Sequence, residues 1–294
     1  MRLKHLKNKV LIYYKKQVNK KMSNNVPFKL DEVIKRINEI IIAPPTKNEK
    51  VLNQLITFPK LDGRMLDIQS LVIKMTHGGF PQKGNPLYDT FLQRANSISI
   101  PIQKNDELYE LLTKLQKKVE ENMDELVPED MKGKIELQDF VREYENKKKD
   151  LIEYSMRIRL ALDIIDMKND KYVIKTSVWR KDGKTVTEIP VKTVEDVEKE
   201  IKYGSTLQFI FRINKLYIST KNEGSKKDPK YKMGVTFKIM AVQVIGGAIA
   251  ANNVNYGNYT FNNDDEVDEI EIENMSVIDT SKLDEVDEDD EEED

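Results

Sequence analysis

The sequence predicts a mainly β protein with helical insertions, an α+β chain that ends in a long charged extension. Three observations predict it. Beyond about Tyr154 the apolar residues recur with period two over several short segments, the mark of half-buried strands. Before that point one stretch carries its apolar residues at helical spacing. After Gly246 the apolar pattern stops and carboxylates take over, and such a segment buries too little to fold.

In chain order, "LDEVIKRINEIII" (Leu30 to Ile42) has helical spacing and stops at Pro44-Pro45, which predicts a short helix. "RMLDIQSLVIKM" (Arg64 to Met75) reads as a strand, followed by the breaker-rich "THGGFPQKGNP". "SISIPI" (Ser97 to Ile102) alternates and reads as another short strand. From Asp106 to Leu126 a helix is predicted, with Leu108, Leu111, Leu112, Leu115 and Val119 on one stripe. A second helix is predicted over "IELQDFVREYENKKKDLIEY", after Gly133.

Then the period changes. "SMRIRLALDI" sets Met156, Ile158, Leu160 and Leu162 on one face of a strand and polar or small residues on the other. "KYVIKTSVW" and "TVTEIPV" are strands around "RKDGK", where Asp182-Gly183 favours a tight turn with φ > 0. "TVEDVEKEI" is a short helix with Thr193 as its cap and Asp196 at the third position. "STLQFIFRINKLYIST" and "YKMGVTFKIMAVQVI" are two long strands joined by "KNEGSKKDPK". Short strands with a small helix before the last two suggest a compact Greek-key barrel of the oligonucleotide-binding type.

The net charge of −3 hides a split. Of 48 basic and 51 acidic residues, positions 264–294 hold 1 and 18, leaving 47 and 33, a charge of +14, in 1–263. A basic body with an acidic end points to a polyanion partner and a regulatory tail, or to a solubilising extension. The start, "MRLKHLKNKVLIYYKKQVNKK", is basic without an acid; it is either a nucleic-acid arm or sequence upstream of a start at Met22. No apolar run reaches the roughly 18 residues of a spanning helix, so no membrane association is expected.

Catalysis is not expected. There is no cysteine, and the two histidines, His5 and His77, leave no triad or histidine metal cluster. "DGKT" lacks the upstream glycine of a phosphate loop, having Val178 there, and "GFPQKGN" has Asn85 where the lysine belongs. No cofactor and no metal are called for, and the tail carboxylates without rigid preorganisation are a counterion cloud.

In the strand region basic and aromatic residues interleave: Tyr172, Lys175, Trp179, Arg180, Lys181 and Lys184, then Arg212, Lys215, Tyr217 and Lys221. The series continues through Lys226, Lys227, Lys230, Tyr231, Lys232 and Lys238. Cations that track phosphates, with rings on which exposed bases stack, are what an unpaired strand requires. The competing reading is that half of the rings fill the barrel. Phe209 and Phe211 share parity with Ile213 and should point inward, whereas Arg212 has the opposite parity. Trp179 is either a core ring or a stacking platform, and the lysine-dense loop from Lys221 to Lys232 is a phosphate grip.

The order "SISIPI", "NDELYELLTKLQKKVEENMDEL", "MRIRLALD", "YVIKTSVWRKDGKTVTEI", "YGSTLQFIFRINKLYIST", "KYKMGVTFKIMAVQVI" and an acidic end resembles the acidic-tailed single-stranded DNA-binding proteins of certain bacteriophages and of nucleocytoplasmic large DNA viruses. The likeness runs from about Leu66 to Ile245 plus the tail. It implies an oligonucleotide-binding barrel and cooperative coating of single strands in viral replication, recombination and repair. It also implies tail contacts with replication enzymes. The terminal "EEED" departs from the phage pattern of a closing aromatic residue. Four regions follow: 1–23, the arm; 24–62, an N-terminal helical segment; 63–245, the binding domain with a helical insertion at about 104–153; and 246–294, linker and tail. Single-stranded DNA is the expected partner, homo-oligomers are allowed, and the expected location is the host cytoplasm or the virion. The other class of function is an acidic-tailed chaperone or assembly protein that binds basic proteins.

Overall fold

A computed structural model of the chain describes residues 26–48, 51–81, 96–147, 149–166, 171–225, 227–246, 255–256 and 259–260. The basic arm, Lys226 and the acidic tail lie outside them. The first elements are β1 (Phe28–Lys29), α1 (Leu30–Lys35), β2 (Thr46–Asn48), β3 (Val51–Thr57), β4 (Lys60–Leu61), β5 (Arg64–Gln69) and β6 (Ile73–Lys74). Next come β7 (Ser97–Ile102), α2 (Glu107–Glu121), α3 (Met123–Leu126), β8 (Ile135–Leu137), β9 (Arg142–Asn146) and β10 (Leu151–Leu160). The chain continues through β11 (Leu162–Asp166), β12 (Lys171–Ile174), β13 (Ser177–Asp182), β14 (Thr185–Ile189) and α4 (Val194–Glu200). Two long strands follow, β15 (Thr206–Ser219) and β16 (Tyr231–Gly246), and then the two-residue strands β17 (Asn255–Tyr256) and β18 (Tyr259–Thr260).

The β15–β16 hairpin is the spine. Along the free edge of β15 dock β6, β5 and β3, all antiparallel. Along the free edge of β16 dock β8, β10 and β13, all parallel. Short partners on a long hairpin let the sheet turn from one to the next. The spine also has two register shifts, Ile210/Phe211 and Ile213/Lys215, and such bulges bend a strand and raise its twist. The result is mainly β, a curled half-barrel sheet with a few helices, consistent with an oligonucleotide-binding-like barrel.

Inside the curl lies one core. Phe209, Phe211 and Ile213 are buried, as their shared parity predicts, with the two phenyl centroids 5.9 Å apart. The α2 stripe of Leu108, Leu111, Leu112, Leu115 and Val119 closes the core, against Ile98, Ile100, Met156 and Ile158. α1 joins the same core through Leu30, Val33 and Ile34. Its helix stops at Lys35 and a 3-10 turn, Ile37–Glu39, takes over, so the α-helix is shorter than the spacing over Leu30 to Ile42 predicts. α4 carries the expected capping box between Thr193 and Asp196. The amides of Lys192 and Thr193 hold the Asp196 carboxyl down at about 2. Asp-Gly turn chemistry recurs at Asp62-Gly63, where both residues have positive φ and join β4 to β5.

The second predicted helix is a correction. Residues 135–154 form β8, β9 and the start of β10. The physical reason is a vacancy that only the sheet could define. β10 and β16 run parallel and pair only over Ile158–Leu160 and Phe237–Ile239. Before that they part, and the chain from Ile135 to Asn146 bridges the fork, β8 pairing with β16 and β9 with β10. Ladder bonds and burial there outweigh the helical bias of its Glu, Lys and Gln side chains. Phe140 plugs the bridge into the core, and its backbone N–H donates to Gln116 Oε1 on α2 at 3.0 Å. The far end is fastened by buried Glu153, which accepts from the Tyr144 hydroxyl and from Asn146 Nδ2 at 2.9 Å. His77 Nε2 donates to the Tyr154 carbonyl at 2.9 Å beside it.

Candidate nucleic-acid interface

On the outer face of the spine the register aligns charges across the strands. Arg159 on β10 is paired with Lys238 on β16, Lys238 with Arg212 on β15, and Arg212 with Asp67 on β5. At roughly 4.8 Å per strand this row crosses the sheet at right angles to the chain. Asp67 takes a bidentate grip from Arg212, 2.5 Å to Nε and 2.7 Å to Nη2, and so neutralises that end. Arg159 and Lys238 have no such partner: among the described residues neither side chain makes a hydrogen bond or an ion pair. Both are half-buried, and burial pushes both cations toward their neutral forms, with the neighbouring Arg212 and Arg159 adding to the effect at Lys238.

The next rows extend the field. Lys215, opposite Thr236, has its amine depressed by burial and then by Arg159 and Lys238, and it donates to Gln54 Oε1 at 2.8 Å. Tyr217 lies beyond it, opposite Gly234. A Cβ at position 234 would stand 3.0 Å from the Tyr217 hydroxyl and 3.0 Å from Gln138 Oε1, so glycine leaves the room in which the two meet. The hydroxyl donates to Gln138 at 2.7 Å. Burial raises the phenol, while Arg159, Lys232, Arg142 and Arg157, which line the same pit as Tyr217, pull against that rise. Where β10 and β16 part, Arg142, Arg157, Arg159 and Lys232 line a pit of about 590 Å³. Its base includes Phe140, Val235 and Phe237, and Glu136, Asp139 and Glu143 sit on its rim.

Of the residues that the sequence singles out, Arg212, Lys215, Tyr217, Lys232 and Lys238 gather on this face or at its pit. Lys232 is tied to Glu223 at 2.5 Å. Trp179 is on the same face two rows further along, paired with Gln243, and packs on Ile210 and Ala241 with Val186 and Met240. Lys181 follows it, buried, its amine pushed down by that burial. Arg180 has the opposite parity and bonds to Glu200 of α4 at 2.5 Å, which removes it from this face. Tyr172 is half-buried, its hydroxyl accepting from the Val194 amide at 3.3 Å, so the ring braces α4. Lys175 pairs with Asp163 at 3.2 Å. Lys184 is exposed at the β13–β14 turn, and Lys221, Lys227 and Lys230 are exposed in the spine loop. Tyr231 is half-buried against the core.

Arg142, Arg157 and Arg159 are additions to the sequence-based set. Arg157 and Arg159 alternate with Met156, Ile158 and Leu160, so the signal was the unused parity of a recognised strand. Arg142 had no such signal, because its segment reads as helix.

A pH dependence follows from the amines. A polyanion laid on this row would favour the charged forms of Lys215 and Lys238 and raise their depressed pKa values. Below the free-state values affinity is flat. As pH rises through them toward 10.5 the complex takes up protons and affinity falls. Calorimetric titration in buffers of different ionisation enthalpy should show that uptake, and an affinity independent of pH up to 10.5 would contradict it.

No family model matches the chain, and no curated protein does. Among solved structures, the single-stranded DNA-binding protein from bacteriophage Enc34 in complex with ssDNA is similar at 12% identity and TM-score 0.32, over 73% of this chain and 98% of that one. A second structure of the single-stranded DNA-binding protein from bacteriophage Enc34 gives 10% identity and TM-score 0.28 over 68% and 89%. Its C-terminal truncation gives 12% and 0.26 over 71% and 96%. Likeness at this level decides nothing about function.

Proposed function

We propose that the chain is a sequence-tolerant single-stranded DNA-binding protein that lays the strand across β10, β16 and β15. The observation that carries this reading is the Arg159–Lys238 pair: adjacent, half-buried cations whose side chains have no ion-pair partner among the described residues. Buried charges are ordinarily paired, because leaving water is costly. Two like charges held side by side lower stability unless a partner arrives from outside, and consecutive phosphates of one strand are such a partner. Tyr217, which lines the same pit as four cations, supplies a flat face for an unpaired base, worth roughly 1–3 kcal/mol when stacked.

In this reading the segment 264–294, with its 18 acidic residues, stands in for the strand when none is bound. A tethered segment presents itself at an effective concentration of order mM. It would then be released to contact replication enzymes while the body coats and protects single strands in viral replication, recombination and repair. The test is titration of the full chain and of a form ending at residue 263 with labelled oligo(dT), duplex DNA and RNA, following polarisation and the fluorescence of Trp179, the sole tryptophan. Oligo(dT) should bind most tightly and the shortened form more tightly still at low salt. Preference for duplex, or no binding to any of the three, would overturn the proposal and favour an acidic-tailed chaperone for basic proteins.

A further inference from the structure

Lys238 is an unusual lysine. Cations flank it on both adjacent strands, Arg159 on β10 and Arg212 on β15, and Lys215 is within electrostatic reach. The carboxylates nearby are engaged elsewhere. Asp67 is gripped by Arg212, and Asp163 of β11, which attracts Lys238, is bonded to Lys175 at 3.2 Å. The Lys238 amine makes no hydrogen bond or ion pair among the described residues, whereas Lys215 is held by Gln54 and Lys232 by Glu223. Burial first, then Arg212 and Arg159, favour the neutral amine, with Asp163 alone opposing. A lysine that is desolvated and set beside other cations is one of the standard ways to make a nucleophile at moderate pH.

We propose that Lys238 is a reactive amine that forms an imine with an aldehyde presented by a bound single strand, the C1′ aldehyde of an abasic site being the substrate class that fits. The proposal rests on the strand-binding reading. Arg159, on one side, is placed to hold a phosphate beside the damaged sugar, while Arg212, on the other, is held by Asp67 and fixes the edge of the row. With no base attached, C1′ lies open to the amine between them. The Nζ lone pair adds to the aldehyde carbon and the carbonyl oxygen takes a proton to give a carbinolamine. That hydroxyl then leaves as water while nitrogen gives up a proton and the C=N bond forms. Aldehyde plus amine becomes imine plus water, with no oxidant or reductant. Such a link would keep a damaged single strand covered, and it is reversible by the same steps.

The experiment uses the full chain with a labelled oligo(dT) carrying one abasic site, and borohydride to trap the imine. Protein is kept at concentrations that saturate the strand, so changes in affinity drop out of the yield. A covalent adduct should map to Lys238, its rate should climb with pH and level off below the ordinary lysine value of 10.5, and Lys238→Arg should lower the yield about tenfold or more. Lys117→Arg, on the α2 surface, should keep the yield. Pyridoxal 5′-phosphate, an aldehyde with its own phosphate, is the second probe and should label Lys238 first. An adduct mapped elsewhere, or full yield from Lys238→Arg, overturns the proposal. Tight binding of intact oligo(dT) with no adduct overturns it too and leaves strand binding standing. Pyridoxal labelling of Lys238 in a chain that binds no strand overturns the substrate assignment together with the binding reading.

Discussion

Arg159→Met is expected to make the protein more resistant to unfolding while weakening its hold on oligo(dT) about tenfold to a hundredfold, the equivalent of one charge-assisted hydrogen bond at ~1.5–3 kcal/mol. The two effects have one cause. Arg159 is half-buried, next to Lys238, and without an ion-pair partner among the described residues, so its charge opposes folding and waits for a phosphate. Methionine keeps the aliphatic stem on the sheet and removes the desolvated charge, a class of change that commonly stabilises by ~0.5–2 kcal/mol. The salt dependence should lose one contact as well, its slope falling by about 0.7. Arg212→Met is the contrast. It strands Asp67 without its bidentate partner and should destabilise, because breaking a partly buried pair leaves the remaining charge uncompensated. Urea unfolding and polarisation on both variants decide the matter. If Arg159→Met binds like the parent, or unfolds more easily, the phosphate row is in the wrong place.

How much of this face could be read in the sequence depends on which interaction set each residue. Strand alternation and helical spacing are local, and they placed Phe209 and Phe211 inward, Arg212 outward and the core stripe of α2 correctly. The same parity held Arg157 and Arg159 in plain view, yet a search for aromatic and basic interleaving passes over a strand whose polar face, Glu153, Ser155, Arg157 and Arg159, carries no aromatic ring. Register is not local. That Lys238 faces Arg159 on one side and Arg212 on the other depends on β10 pairing, in parallel, with a hairpin that lies far along the chain. Arg180 shows the reverse error: its neighbours in sequence sit on the interface side, but its own parity and Glu200 of α4 take it away. The β8–β9 bridge was least legible. Its shape is dictated by a fork between β10 and β16 that exists only once the sheet is assembled, and its own composition favours helix.

Phe140→Ala tests whether that bridge is structural support for the interface or an ornament on it. Phe140 is buried, packs edge-on against Phe237 at 6.4 Å between centroids, and is the apolar anchor of the bridge between β8 and β9. Truncating a buried phenyl ring costs ~3–5 kcal/mol, so the midpoint of urea unfolding should drop steeply. The loss should not stop at stability. Phe237 is directly paired with Ile158 at the apex of the fork, between Arg157 and Arg159, and the bridge carries Arg142 and Gln138, the acceptor that positions the Tyr217 hydroxyl. A cavity under Phe140 therefore loosens one wall of the pit and the ring at its edge together. Measured on the fraction still folded at low temperature, affinity for oligo(dT) should fall about tenfold, on the scale of one stacked base. Phe140→Leu separates the two consequences: it refills most of the space, should recover much of the stability, and should restore affinity with it. Were Phe140→Ala to unfold like the parent, the bridge would not be anchored as drawn. Were it to lose stability but keep full affinity, the strand would have to pass along the row without touching the fork.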